Sequence, residues 1–227
     1  MSIQLVVFDI AGTTVVDKGN INDTFRSAFS KAGFIVPAAD VDTVMGYRKI
    51  DAIKIILDKH KHQSPYVKER IIETIHDDFT KSMVQFYEED SELKPMPFAE
   101  DVFRQLQERK IKVALDTGFT KIITDVILKR LGWTDSSLID AVISSDEVPE
   151  GRPHSFMINR IMQQLKIGDA FTVAKVGDTK VDIEEGRNAG CGLVVAVTTG
   201  AYTREQLQEY NPDYIIDSLQ QLPALIQ

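Results

Sequence analysis

Apolar and polar positions divide the chain into alternating strand-like and helix-like segments. Residues 5–8 are apolar without alternation, which is typical of a short strand buried on both faces of a parallel sheet. This alternation of elements predicts an α/β fold with a doubly wound parallel sheet. The further predicted strands are 112–118, 140–148, 171–179, 192–200 and 213–218, and the predicted helices are 98–110, 120–132, 154–165, 179–189 and 203–210.

One long region interrupts this alternation. Residues 17–92 contain helical spacing and no convincing strand pattern. We therefore predict an all-helical cap subdomain at 17–92, inserted after the first strand, while 1–16 and 93–227 form a Rossmann-like core. Residues 18–20 and the prolines of 93–98 mark its two hinges. A cap placed over the carboxyl edge of the sheet would exclude water from that edge.

Composition and charge narrow the class of protein. The chain has 227 residues, 43% of them hydrophobic, so it can bury a sizeable core. Lys+Arg 26 against Asp+Glu 34 gives a net charge of -8 without a basic run, and no nucleic-acid partner is expected. The single cysteine, Cys191, excludes an internal disulfide and fits a reducing compartment. Without a signal sequence or membrane span in its pattern, we expect a cytoplasmic protein with no membrane partner.

The first candidate site residue is Asp9, which follows the first strand directly in "LVVFDIAGTT". Ligands bind at the carboxyl edge of open α/β sheets, where this position falls. Gly12, followed by Thr13, allows the next turn to bring backbone N–H groups close to an anion. The alternative is an ordinary strand followed by a turn.

Two further carboxylates occur in "VGDTKVDIEEGRNAG", residues 176–190. Asp178 and Asp182 are four residues apart, so both can face one side of a first helical turn at the edge that presents Asp9. Three carboxylates at one edge repel each other unless a cation lies among them, and oxygen ligands with room for water favour Mg²⁺. The alternative is a helix cap at Asp178 and a solvated charge at Asp182.

Two more strand ends carry groups that suit a phosphoryl anion. Thr117 offers a hydroxyl beside Gly118, which permits close backbone approach. Arg152, between a glycine and a proline, offers a guanidinium that binds phosphate oxygens in a fork. Taken singly, a turn hydroxyl is the favoured interpretation of Thr117, and a surface arginine that of Arg152.

Together, these stretches resemble the haloacid dehalogenase superfamily over nearly the whole chain. The resemblance implies that Asp9 is a nucleophile that takes up a phosphoryl group as an aspartyl phosphate. It implies that Thr117 and Arg152 bind the transferring oxygens. The implied substrate-binding residues are Gly12, Thr13, Thr117, Gly118 and Arg152, and the implied Mg²⁺ ligands are Asp9, the carbonyl of Ala11, Asp178 and Asp182.

Ala11 stands where phosphatases of this superfamily usually carry a second aspartate, the acid for the leaving alkoxide. The loss of a positioned acid typically costs about 10² to 10⁴ in rate. Alanine at this place resembles the phosphonoacetaldehyde hydrolase branch, or phosphonatases, whose first motif reads Asp-x-Ala-Gly-Thr. That branch breaks a carbon–phosphorus bond through a Schiff base on a cap lysine in a Met-Gly-x-x-Lys-Ile-Asp pattern. Residues 45–51, "MGYRKID", match this pattern and indicate Lys49.

Helical geometry indicates Lys49 independently of the resemblance. If 45–60 is helical, Lys49 lies within the arc of apolar positions, where its charged form is disfavoured. Its pKa should then fall and its amine become nucleophilic. The alternative is a lysine that lays its stem over the cap core and lifts its ammonium into water.

Three functions follow as hypotheses. The first is a Mg²⁺-dependent hydrolase of a small phosphonate such as phosphonoacetaldehyde, acting as a monomer or as a homodimer through the cap. The second keeps the aspartyl phosphate but acts on a small phosphomonoester, as phosphoglycolate phosphatases do. The third is a regulatory module in which Asp9 is phosphorylated as a signal, and a helical lid argues against it.

Overall fold

The computed structural model describes residues 2–59 and 65–226, and its centre is a six-stranded, wholly parallel sheet. The strand order is β3-β2-β1-β4-β5-β6, which is doubly wound about the central pair β1 and β4 and confirms the predicted fold class. Every residue of β1 is buried, as its continuous apolar run predicts. The strands are β1 Leu5–Asp9, β2 Lys112–Thr117, β3 Ala141–Ser144, β4 Val173–Gly177, β5 Leu193–Val197 and β6 Tyr214–Ile216.

Helices cover the sheet, and their bounds lie close to the predicted segments. The predicted strand 140–148 is too long, because β3 ends at Ser144, where a 3₁₀ turn begins. The N–H of Ser144 donates to Glu147 Oε2 at 2.8 Å, which caps that turn. The α-helices are α1 Asn20–Lys31, α2 Ala38–Asp42, α3 Lys49–Lys59, α4 Pro65–Glu89, α5 Ala99–Glu108, α6 Lys121–Arg130, α7 Phe156–Leu165, α8 Lys180–Asn188, α9 Arg204–Gln208 and α10 Leu222–Leu225.

Helices α1–α4 occupy the region of the predicted cap, of which residues 60–64 lie outside the described part. An edge-to-face contact of Phe25 with Phe79 joins α1 to α4, and Phe25 makes a second such contact with Phe29 within α1. The two connections to the sheet run side by side, since the N–H of Met96 donates to the carbonyl of Thr14 at 2.8 Å. An inserted unit requires such neighbouring connections. The buried apolar residues of α1–α4 are continuous with those of the sheet, and the division into core and cap stays a prediction.

Over 2–59 and 65–226, no helix combines the length and the apolar character that a bilayer span needs.

Candidate active site

A cavity lies where the carboxyl ends of β1, β2 and β4 face the loop before α3. The space not filled by protein atoms there is about 320 Å³, including the part that is open to solvent. The sheet edge contributes most of the polar groups, α3 contributes Lys49, and the apolar groups come from α1, from the loop before α3 and from the loops after β1 and β2. The lining residues are Asp9, Ala11, Ile21, Met45, Gly46, Lys49, Thr117, Gly118, Phe119, Asp178 and Thr179.

Asp9 is the last residue of β1 and is only 5% exposed. One of its oxygens, Oδ1, accepts a hydrogen bond from Arg152 Nη1 at 2.6 Å. Burial raises the pKa of Asp9 to about 6, although the guanidinium of Arg152 opposes that shift. The carboxylate is therefore anchored on one side and lines the cavity on the other.

Asp178 lies beside Asp9 and is held by the turn after β1 and by the backbone of Ala201. Thr13 Oγ1 donates to Asp178 Oδ1 at 3.1 Å, and the N–H of Ala201 donates to Oδ2 at 2.7 Å. Burial, and next the charge of Asp9, raise the pKa of Asp178 well above its usual range. Within the described part of the chain, no lysine or arginine forms an ion pair with it.

Gly12 and Thr13 support Asp178 and do not line the cavity. Gly12 has φ +86, and a Cβ there would come within 2.7 Å of Asp178 Oδ2. Its N–H donates to the carbonyl of Val15 at 2.8 Å and is not available to a bound anion in this structure. The substrate contacts predicted for Gly12 and Thr13 stay predictions.

Lys49 enters the cavity from the first turn of α3 and is 6% exposed. Its Nζ lies 5.6 Å from the centre of the Phe119 ring and 3.4 Å from the carbonyl oxygen of Tyr47. Burial lowers the pKa of Lys49 from 10.5 to about 8, while the charge of Asp9 acts in the opposite direction. The predicted burial is found, and the alternative of an ammonium lifted into water is not.

Glycines allow the loop before α3 to lie directly on the sheet edge. A Cβ on Gly118 would come within 2.5 Å of the carbonyl oxygen of Tyr47, and one on Gly151 within 2.6 Å of Arg48 Cβ. Arg48 Nη1 also donates to the carbonyl of Pro149 at 3.0 Å. This close approach brings Lys49 into the cavity that Asp9 lines. Thr117 lines it too, with its Oγ1 accepting from the N–H of Phe119 at 3.2 Å.

Arg152 lies behind Asp9, with a fully buried side chain. Its Nε faces Glu185 Oε2 at 3.1 Å, its Nη2 contacts Asp116, and its Nη1 faces Asp182 Oδ1 at 3.0 Å besides Asp9. All three guanidinium nitrogens thus face protein oxygens. The alternative of a surface arginine is excluded, and the predicted phosphoryl contact of Arg152 stays a prediction.

Asp182 belongs to the same group behind Asp9. Its Oδ2 accepts from Thr179 Oγ1 at 2.5 Å and from the Thr179 N–H at 3.2 Å, which caps α8. Gly177 makes room for it, because a Cβ there would lie 2.2 Å from Asp182 Cγ. Asp182 does not line the cavity.

Three buried ionic residues of this group were not among the residues predicted from sequence: Asp116, Lys175 and Glu185. Lys175 Nζ contacts Asp116 and lies 3.0 Å from Glu185 Oε2. Burial, and next the charge of Asp116, raise the pKa of Glu185 to about 8. A charged residue inside an otherwise apolar strand, "FTVAKVGD", was the available signal for Lys175.

The carboxylates offer two possible places for a divalent cation. Oxygens of Asp9, Asp116 and Asp182 come within 4.8 Å of one another, and Arg152 and Lys175 already supply positive charge among them. On the cavity side, burial raises the pKa values of Asp9 and Asp178, and Asp178 has no ion-pair partner among the described residues, whereas Asp9 is paired with Arg152. Oxygen ligands with unbalanced charge fit Mg²⁺, so the residues present are compatible with the ion on the cavity side.

Comparison with known proteins gives consistent results. The family model described as haloacid dehalogenase-like hydrolase matches residues 6–196. A phosphonoacetaldehyde hydrolase from Bacillus cereus is 30% identical over 223 residues, covering 92% of this chain and 82% of that protein. Another, from Bacillus cytotoxicus, is 27% identical and covers 100% of this chain and 96% of its own length.

Solved structures with the same fold include a protein described as phosphonoacetaldehyde hydrolase-like and one described as a predicted phosphoglycolate phosphatase. A phosphonoacetaldehyde hydrolase like protein from Oleispira antarctica superposes with a TM-score of 0.83 at 22% identity, covering 100% of this chain and 92% of that one. A predicted phosphoglycolate phosphatase from Haemophilus somnus gives 0.76 at 18% identity, covering 99% and 98%. At these identities the likeness shows the fold alone.

Proposed function

Because the chain belongs to the haloacid dehalogenase-like hydrolases, we propose that it hydrolyses the carbon–phosphorus bond of a small phosphonate such as phosphonoacetaldehyde. One observation carries the proposal: Lys49 and Asp9, an amine with a lowered pKa and a carboxylate, line the same small cavity. Membership in a family of hydrolases also argues against the regulatory module.

Lys49 would begin the reaction on the carbonyl end of the substrate. Its neutral amine adds to the aldehyde carbon, and loss of water gives an imine. A protonated imine withdraws electrons from the adjacent carbon, which is the carbon bonded to phosphorus. The lowered pKa of Lys49 supports this step, since more of its amine is neutral near pH 8 than in an ordinary lysine.

Asp9 would then attack phosphorus. A bond forms between a carboxylate oxygen and phosphorus, the carbon–phosphorus bond breaks, and its electron pair moves into the imine to give an enamine. The enamine takes up a proton on carbon, and water releases acetaldehyde from Lys49. A second water hydrolyses the aspartyl phosphate. Ala11 supports this route, because a carbon leaving group that departs as an enamine requires no acid at that place.

Other residues would bind and orient. Thr117 and Gly118 border the cavity at the end of β2 and suit the phosphoryl oxygens, while Arg152 holds Asp9 Oδ1. Mg²⁺ would be held by Asp9, the carbonyl of Ala11 and Asp178, with Asp182 behind them. When bound, the ion supplies positive charge that offsets the charge of the transferring group.

A phosphatase of a small phosphomonoester is the second candidate. The shared fold with a predicted phosphoglycolate phosphatase keeps it open, and Ala52, buried on α3, stands where the phosphonatase pattern often has a histidine. The cavity disfavours it, since Ala11 offers no proton to a leaving alkoxide.

Borohydride trapping with phosphonoacetaldehyde distinguishes the two candidates. We expect reduction to leave a mass adduct on Lys49, and Lys49→Arg to lose both the adduct and turnover. Lys54→Arg is the matched control, because Lys54 lies on the same helix, exposed, beside Asp51. If Lys49→Arg instead keeps full activity on phosphate esters and no adduct forms, the imine route is wrong and Asp9 chemistry on esters remains.

A further inference from the structure

Lys175 is a fully buried lysine at the centre of the sheet. It lies on β4, opposite Val7 of β1 in the strand register, and its side chain has no exposed surface. Lysines are almost never buried in this way unless they are paired. The proposed function gives this residue no task.

The partners of Lys175 are shared with Arg152. Lys175 Nζ contacts Asp116 Oδ1 and lies 3.0 Å from Glu185 Oε2 and 3.3 Å from Asp182 Oδ1. Arg152 faces the same three oxygens and, in addition, Asp9 Oδ1. Both cations therefore contact the same three carboxylates, and only Arg152 also contacts Asp9.

The local backbone makes room for this arrangement. Gly186 of α8 packs against the lysine stem, and a Cβ there would lie 2.9 Å from Lys175 Cβ and 3.2 Å from its Cγ. A side chain at 186 would push either the helix or the lysine out of place. The small residue thus permits a long charged side chain to pass beneath the helix toward Asp116.

Stability alone is a weak explanation for this network. Replacing buried ion networks by apolar residues of similar volume is often neutral or stabilising, because taking charges out of water is costly. Without Lys175, however, three carboxylates would face the single guanidinium of Arg152. Their attraction would compete with Asp9 for the same donor.

We propose that Lys175 is a positioning residue that, by sharing Asp116, Asp182 and Glu185 with Arg152, keeps the guanidinium oriented toward Asp9 and thereby sets the direction of the attacking carboxylate. This inference rests on the proposed function, in which Asp9 attacks phosphorus. Lys175 does not line the cavity, so its removal should slow the phosphoryl step and leave binding intact.

The experiment compares Lys175→Met with Lys112→Met in the full-length Mg²⁺-loaded protein. Lys112 is also on a sheet strand, but its partner Asp140 and its half-exposed side chain lie at the surface. For Lys175→Met we expect kcat on phosphonoacetaldehyde to fall on the order of 10²-fold, as for a slightly misplaced reacting group, with KM within about twofold. The borohydride adduct on Lys49 should form as in the parent, because imine formation does not use Asp9.

A second variant keeps the test valid if Lys175→Met does not fold. The double variant Lys175→Met, Asp116→Asn removes one cation and the anion it contacts together, and we expect it to fold and still to show the kcat loss. A folded variant with parental kcat, or one whose KM rises while kcat is kept, would overturn the proposal. If the parent itself gives no Lys49 adduct and no turnover of phosphonoacetaldehyde, the proposed function fails, and that result does not depend on Lys175.

Discussion

The two sides of Asp9 are built from the same types of charged residue but differ in how many partners each has. On the cavity side, Lys49 and Asp178 meet no oppositely charged side chain within ion-pair distance among the described residues. On the opposite side, Arg152 and Lys175 share Asp116, Asp182 and Glu185 in what we call the rear network.

This difference in pairing accounts for the difference in pKa. Burial lowers the pKa of Lys49 to about 8, whereas Lys175, equally buried, has its pKa raised because carboxylates surround it. A buried lysine without an anion becomes a nucleophile at moderate pH. One that is surrounded by anions remains a fixed positive charge.

The largest expected effect falls on Asp9, where the two sides meet. Asp9→Asn removes the nucleophile, and we expect kcat on phosphonoacetaldehyde to fall by about 10⁴-fold or more, as when other covalent nucleophiles are removed. The measurement is phosphate release under saturating substrate, with Asp125→Asn, an exposed residue on α6, as the control. Parental turnover by a folded Asp9→Asn protein would contradict the assignment of the nucleophile.

Removal of the central cation should disrupt the rear network. Arg152→Met leaves Asp9 without its ion-pair partner and the other three buried carboxyl groups with Lys175 alone, and we expect a loss of about 3–5 kcal/mol in the free energy of unfolding. Urea denaturation measures it. The exposed pair of Arg204 and Asp217 provides the control, since Arg204→Met should cost less than about 1 kcal/mol. Similar losses in both variants would mean that the rear network contributes no more to stability than an exposed ion pair does.

A change where the loop before α3 meets the sheet edge should affect the cavity side more than the rear network. Gly118→Ala would place a Cβ against the carbonyl oxygens of Tyr47 and Gly46 and displace the loop that carries Lys49. We expect kcat to fall on the order of 10²-fold, with a loss of about 1–3 kcal/mol in the free energy of unfolding, because the added methyl group meets backbone atoms. Gly168→Ala is the control, because apart from its own neighbours in the chain no atom of the described residues lies within 4 Å of the place its added methyl group would take. Unchanged kcat in Gly118→Ala would show that the loop position does not matter.

The burial that makes Lys49 reactive should also lower the free energy of unfolding. Since a tenfold change in proton affinity is worth about 1.4 kcal/mol, the lowering of its pKa from 10.5 to about 8 corresponds to at most about 3 kcal/mol at neutral pH. We expect Lys49→Met to stabilise the metal-free protein by about 1–3 kcal/mol. The gain should be smaller than the full value because the variant also removes a positive charge close to Asp9.

The pH dependence checks the sign of that effect. Between pH 8 and 10.5 the unfolded chain holds a proton on Lys49 that the folded chain has lost, so the parent gains stability as pH rises through this window. Lys49→Met lacks this gain, and the difference between the two proteins should shrink there in urea titrations. A difference that stays constant from pH 7 to 10 would show that Lys49 has an ordinary pKa.

The sequence predicted the cavity side better than the rear network, for physical reasons. Asp9, Thr117 and Asp178 close parallel strands, so topology alone brings them to one edge, and the arc of apolar positions around Lys49 indicated its burial. The direction in which a side chain points from a turn is set by tertiary contacts, which a sequence pattern does not show. Thr13, predicted as a substrate-binding residue, donates its hydroxyl hydrogen bond to Asp178. Lys175 was predicted only as part of an apolar strand, because its partners lie 59 residues away at Asp116 and seven or more residues along on α8.

The most direct test of the account is to detect the phosphoryl group on Asp9 during turnover. The Mg²⁺-loaded protein is mixed with excess phosphonoacetaldehyde, quenched in acid within the first turnovers, and its peptides are mapped by mass spectrometry. The account predicts a phosphorylated peptide containing Asp9, absent from Asp9→Asn and absent after turnover is complete. Steady release of phosphate with no phosphoryl group on that peptide at any time would contradict it.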